Sequence, residues 1–270
     1  MALAAAVVFA GAVARAADAP ARVVSVNLCT DQLAMMLAAP GQLIAVTRMA
    51  QDPRASAMAD VARGLPAVAV NAEDIYLLQP DLVIAGAFTS RATLDMLARL
   101  GLRVERFEPA YALHDIPERI ARMGAVLGRP DQAAALSAEF DAALTALADP
   151  VTGPRAALYY AGGHTSGDGS LAGQILRAAG FSNIAEELGA IAHLPLEVLA
   201  MARPDAVITG RPNPGASRAE DVMRHPVVRA LQDQAAQASM TDRDWVCGTP
   251  HVLAAIARLS DLRQTLEAGP

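Results

Sequence analysis

One fourteen-residue pattern occurs twice in this chain. Glu73-Asp74-Ile75-Tyr76-Leu77-Leu78-Gln79-Pro80-Asp81-Leu82-Val83-Ile84-Ala85-Gly86 returns, at a constant offset of 124, as Glu197-Val198-Leu199-Ala200-Met201-Ala202-Arg203-Pro204-Asp205-Ala206-Val207-Ile208-Thr209-Gly210. The Glu, Pro, Asp, Val, Ile and Gly positions match. Each copy reads as a short helix, a Pro-Asp turn and a continuous apolar run, the pattern of a strand buried on both faces of a parallel sheet. A chain that carries this unit twice is constrained to two α/β lobes. At 270 residues with 53% hydrophobic content it can give each lobe a core of its own, roughly 100 residues apiece.

Between the copies lies a helical stretch, Asp115 to Ala148. Ile116, Ile120, Met123 and Leu127 recur at helical steps, with Asp115 as the expected N-cap and Pro117 in the first turn. After Gly128-Arg129-Pro130 the pattern restarts through Leu136, Phe140, Leu144 and Leu147, a segment of about 27 Å. The expected fold is therefore α/β: two Rossmann-like lobes with parallel sheets, joined by a long rigid backbone helix. The divisions are residues 1–16, 22–112 for the N-terminal lobe, 113–149 for the linking helices and 155–270 for the C-terminal lobe.

The first fourteen residues are wholly apolar, and Ala14-Arg15-Ala16 before Ala17 matches a small-x-small cleavage site. Residues 1–16 are read as a secretory signal peptide, with a membrane anchor as the other reading, although the run is short for a span. The expected mature protein is acidic and exported. The full chain's net charge of −6 comes with no basic cluster of the kind that phosphate neutralisation needs, which argues against nucleic acid as a partner.

In doubly wound sheets, ligands lie beyond the carboxyl ends of the strands. Expected strands at 23–26, 43–46, 82–86 and 101–107 place Asn27, Cys29, Thr30, Asp31, Arg48, Phe88, Thr89 and Tyr111 at one rim. The polar passage from Thr47 to Leu65 is expected as a rim loop. In the second lobe the rim comprises His164, Arg211 and Asp244 to Cys247. Arg48 and Arg91 suit an anionic ligand.

This arrangement resembles the class III periplasmic substrate-binding proteins of ABC importers, the group that carries cobalamin, iron–siderophores and haem. The resemblance runs over nearly the whole chain after residue 22. It rests on Arg22-Val-Val-Ser-Val, the two Glu-to-Gly repeats, Ile116-Pro to Met123-Gly with Leu127-Gly-Arg, and Leu196-Glu-Val-Leu. It implies a periplasmic monomer that captures a metal chelate and delivers it to a permease dimer in the inner membrane, with neither a catalytic centre nor a cofactor or resident metal. It also implies that Glu73 and Glu197 dock the permease. As residues alone, each Glu is equally a first-turn acid complementing a helix dipole.

Other assignments stay open. Trp245, the only Trp, can lie flat on a chelate or pack a core edge. Asp244 beside it can accept hydrogen bonds from a ligand, and Phe88 has the same two readings as the Trp. Cys29 and Cys247, the only cysteines, are a disulfide, two free thiols, or thiol contacts to a bound metal centre aided by His164 or His193. The Gly162–Gly169 loop lacks the P-loop ending. A secreted hydrolase using His164, Ser166 and Asp168 has candidates but no nucleophile elbow, and five His without ligand spacing are a poor shell for a free metal ion.

Overall fold

The computed structural model of the chain describes residues 19–148, 153–210 and 217–268. The signal-peptide reading of residues 1–16 and the rim position of Arg211 fall outside the described residues. No helix among the described residues is long and apolar enough to cross a membrane.

In the N-terminal half, β1 (Val23–Ser25), α1 (Leu28–Leu37), β2 (Leu43–Thr47), α2 (Ala59–Ala62), β3 (Ala67–Val68), α3 (Ala72–Leu77), β4 (Leu82–Gly86), α4 (Arg91–Arg99) and β5 (Val104–Phe107) alternate along the chain. All five strands are parallel, in the order β3-β2-β1-β4-β5. The passage expected as an irregular rim loop contains a 3₁₀ turn at Arg48–Gln51 as well as α2. The order reverses between β1 and β4, the kind of switch point where a crevice opens at the strand ends.

Next come α5 (Asp115–Leu127) and α6 (Pro130–Leu147), which pack against each other. Gly128 between them takes φ of 71°, a left-handed cap that ends α5. Gly124 lets the pair close: a Cβ there would lie 2.3 Å from the Ala133 Cβ. The link is thus a two-helix element whose second helix is the long one. Asp115 is not the N-cap expected of it. His114 occupies that position, and the Asp115 carboxylate accepts from the backbone N–H groups of Tyr111 and Ala112, at 2.9 and 3.0 Å, bracing the turn that leads in.

The second half runs β6 (Arg155–Tyr159), β7 (His164–Thr165), α7 (Leu171–Ala178), β8 (Ser182–Asn183), β9 (Ala192–His193), α8 (Leu196–Ala202), β10 (Ala206–Gly210), α9 (Pro226–Gln234), β11 (Ala236–Met240), α10 (Asp242–Trp245) and α11 (Val252–Ala268). A parallel sheet has the order β11-β10-β6-β8, and β7 pairs antiparallel with β9 in a separate ribbon. One apolar core joins the halves, from Val23 and Ile84 through Ile120, Met123 and Phe140 to Leu158, Ile208 and Leu259.

The repeat is real in three dimensions. In each half its strand pairs in parallel with the half's first strand, Leu82 with Val23 and Ala206 with Ala156. Before each strand, a non-glycine residue takes a left-handed φ: 47° at Gln79 and 44° at Arg203, again 124 apart. An Arg opening the partner strand reaches back to the preceding helix end. Arg22 donates to the carbonyls of Leu78 and Gln79, at 2.6 and 3.1 Å, and Arg155 to that of Ala202, at 2.7 Å. The repeated aspartates complete the device: Asp81 accepts from the Ala21 N–H and Asp205 from the Arg155 N–H, at 2.7 and 2.8 Å. Charge-assisted bonds to otherwise orphaned helix carbonyls hold the costly left-handed residue in place. They also fix α3 and α8 rigidly on their sheets.

Candidate functional site

Two cavities open at the two switch points. The one on the N-terminal sheet, about 790 Å³, is lined by the ends of β1 and β4 and the turns that follow them, with Asn27, Cys29, Thr30, Arg48, Met49, Val70, Phe88, Thr89 and Arg119. The one on the C-terminal sheet, about 440 Å³, is lined by Tyr160, His164, Thr165, Ser166, Ile191, Gly210, Glu220, Met240 and Trp245. Val246 lines both, so the two form the arms of one cleft. Each arm falls in the range typical of small-molecule sites.

Local chemistry explains how the first arm is held. Asn27 caps α1, its side chain accepting from the N–H groups of Cys29 and Thr30. A Cβ at Gly86 opposite would meet the Asn27 side chain at 2.6 Å, so any larger residue there must displace this cap. Phe88 is 82% exposed, and Met49, Val70 and Val246 are also exposed at the cleft. Large apolar side chains left in water line this cleft in number, which marks a surface made to be covered.

Beneath the rim lies Asp31, fully buried. Its carboxylate accepts from the Thr47 N–H at 3.1 Å and the Thr47 hydroxyl at 2.5 Å, tying α1 to the end of β2 just before Arg48. Burial pushes its pKa up to about 7, outweighing the lowering by donors from Ser25 and Thr47. An acid whose folded-state pKa is raised binds more protons folded than unfolded. Its contribution to stability is therefore full near pH 4 and is lost as the pH rises to about 7. Asp31→Asn should flatten that decline, which is of order 2–4 kcal/mol. Denaturant titrations at pH 4.5 and 8 check this: an equal decline in both proteins refutes the assignment.

The second arm differs from expectation in two places. Asp244 does not line it. Its carboxylate pairs with Arg258 at 2.6 Å and accepts from the Thr241 N–H and hydroxyl at 2.7 and 2.9 Å, which braces the start of α10. Trp245 does line the arm, yet it is only 9% exposed and packs edge-on against Tyr160, with ring centres 5.5 Å apart. The Trp thus packs a core edge and also forms part of the cavity wall. Residues that the strand-end rule did not point to also contribute: Arg54, from the rim passage of the first half, and Ile191, 80% exposed. Arg54 is placed by Arg243, which donates to the Arg54 and Pro53 carbonyls at 3.2 and 3.3 Å. Tyr111 and Arg91 are exposed and line neither arm, although their neighbours Ala110 and Ser90 line the first.

Cys29 and Cys247 are bonded, with Cα atoms 5.0 Å apart, joining the first turn of α1 to the segment between α10 and α11. Both thiols are consumed, which removes the free-thiol and metal-contact readings. The hydrolase constellation is not assembled either. Asp168 faces Arg177 at 3.3 Å and accepts from Asn183 at 2.9 Å, and the ring of His164 faces that of His193. Among the described residues no group of three or more His, Cys, Asp or Glu could hold a metal ion.

Two parallel-sheet lobes around a common cleft with exposed apolar walls suit a ligand-binding protein. The chain belongs to the periplasmic binding protein family, whose model matches residues 23–238. A cobalamin-binding protein of Halobacterium salinarum is 30% identical over 200 residues, 71% of this chain and 54% of the relative, so the chain spans about half the length of the curated relatives it matches. The fold is similar to that of a periplasmic haem-binding protein from Pseudomonas aeruginosa, with a TM-score of 0.73, 23% identity, and 90% and 92% of the two chains covered. It is also similar to that of the periplasmic vitamin B12 binding protein of Vibrio cholerae, with a TM-score of 0.67, 18% identity, and 92% and 98% covered. The family and these structures are binding proteins.

Proposed function

We propose that the chain is the periplasmic substrate-binding component of an ABC importer. It captures a metal chelate, a corrinoid, iron–siderophore or haem, and hands it to a permease dimer in the inner membrane without chemical change. The observation that carries the reading is the cleft: a large apolar crevice spanning two switch points, walled by Phe88, Met49, Ile191 and Trp245, with the exposed Arg48 among its lining. That combination suits a bulky ligand with flat apolar faces and an anionic edge. The names of the relatives, cobalamin-, haem- and vitamin B12-binding, point the same way.

Docking belongs to α3 and α8. Glu73 and Glu197 are exposed in their first turns. Four residues on, and so on the same helix face, stand Leu77 and Met201, 71% and 74% exposed. Each lobe offers the same acid and apolar knob, which matches a partner that presents one pocket twice about a two-fold axis.

The test is a titration of the purified monomer with cobalamin, haem and ferric siderophores, following fluorescence of the single Trp245. Saturable quenching by one of them at one-to-one stoichiometry, with the chelate recovered intact, is the expected result. Absence of both quenching and calorimetric heat for all three overturns the chelate reading.

A further inference from the structure

His164 and His193 are direct partners across the β7–β9 ribbon. The Leu194 N–H donates to the Gly163 carbonyl at 2.8 Å, which makes this a pair without its own ladder bonds, the position where opposed side chains approach most closely. Both imidazoles are exposed, with ring centres 6.3 Å apart and planes at 88°. Both Nε2 edges lie beside the Gly162-Gly163 turn. A Cβ at Gly162 would lie 3.4 Å from the His164 Nε2, and one at Gly163 would lie 3.1 Å from the His193 Nε2. These consecutive glycines, both at positive φ, leave that corner open.

We infer that this cross-strand pair is a two-imidazole site for a divalent first-row cation, Cu²⁺, Ni²⁺ or Zn²⁺. With metal–nitrogen bonds of about 2.0–2.1 Å, two imidazoles on one ion place their ring centres about 5–6.5 Å apart, from tetrahedral to linear angles. The observed separation falls inside that span, toward its linear end. Imidazole suits borderline ions, and affinity along the divalent series peaks at Cu²⁺. Two ligands from a rigid ribbon leave the remaining positions to water. Because His164 lines the C-terminal arm of the cleft and His193 does not, the ion would lie at the cleft wall rather than in its centre. The inference does not depend on a chelate being the cargo.

The test is Cu²⁺ titration of the untagged protein by calorimetry and electron paramagnetic resonance. One ion per chain is expected, with hyperfine structure from two imidazole nitrogens. His193→Gln should reduce that to one nitrogen and weaken binding about tenfold or more, as should His164→Gln, whereas His225→Gln should change neither. Unaltered binding in the His164 and His193 variants, or a one-nitrogen spectrum in the wild type, overturns the site. His193→Gln should leave the Trp245 chelate titration intact. Failure of that titration in the wild type, with Cu²⁺ binding preserved, would sink the cargo reading and spare this one.

Discussion

Replacing Cys29 and Cys247 together by serine should lower the melting temperature by about 10 °C or more. The bond joins residues 218 apart in sequence. By chain-entropy arguments, closing so long a loop restricts the unfolded ensemble by about 5 kcal/mol, and each kcal/mol moves the midpoint of a chain this size by about 2–4 °C. The folded state should survive, because the apolar core is continuous from one sheet to the other through α5, α6 and α11. Scanning calorimetry of the wild type, the wild type in reductant and the double variant decides it. Coincident melts would mean that the bond constrains nothing that the core does not already hold. Since Cys29 lines one arm of the cleft and Val246 lines both, the variant should also bind its ligand more weakly, by loosening the common wall.

What could be seen in advance followed from local rules. The repeat revealed both buried strands because a run such as Leu82-Val83-Ile84-Ala85 has few alternatives to a parallel core strand. The cap of α3 obeys the same kind of local rule, the Asn71 side chain accepting from the Asp74 N–H three residues on. The strand-end rule put Cys29, Thr30, Arg48, Phe88, Thr89 and His164 at the cleft because the rule is topological and needs no side-chain detail. What escaped notice depends on distant parts of the chain. Ala236-Gln237-Ala238-Ser239-Met240 has no strand-like composition, and only the ladder offered by β10 makes it β11. Asp244 next to the only Trp invites a binding role, but its carboxylate is claimed by Arg258, fourteen positions on. Gln79 and Arg203 are not residues a sequence reader would place at positive φ. The bonds from Arg22 and Arg155, made far along the chain, hold that conformation.

Reversing both repeated acids, Glu73→Arg with Glu197→Arg, should leave the Trp245 titration unchanged and abolish import into cells that carry the cognate permease. The two carboxylates lie on short helices that the Arg22–Asp81 and Arg155–Asp205 devices pin to separate sheets. Their spacing is thus built into the fold, and a two-fold partner can meet both at once only if that spacing is kept. Like charges at two contacts cost several kcal/mol, and about 2.7 kcal/mol already weakens docking a hundredfold. Leu77→Asp with Met201→Asp should act in the same direction through desolvation rather than repulsion. In raised salt the acid-reversal defect should shrink, while the apolar-knob defect should persist. Uptake of labelled chelate, paired with ligand binding on the same variants, separates docking from capture. Full import by the Arg pair would reduce both glutamates to helix-dipole partners, and loss of ligand binding would place them in the cleft after all.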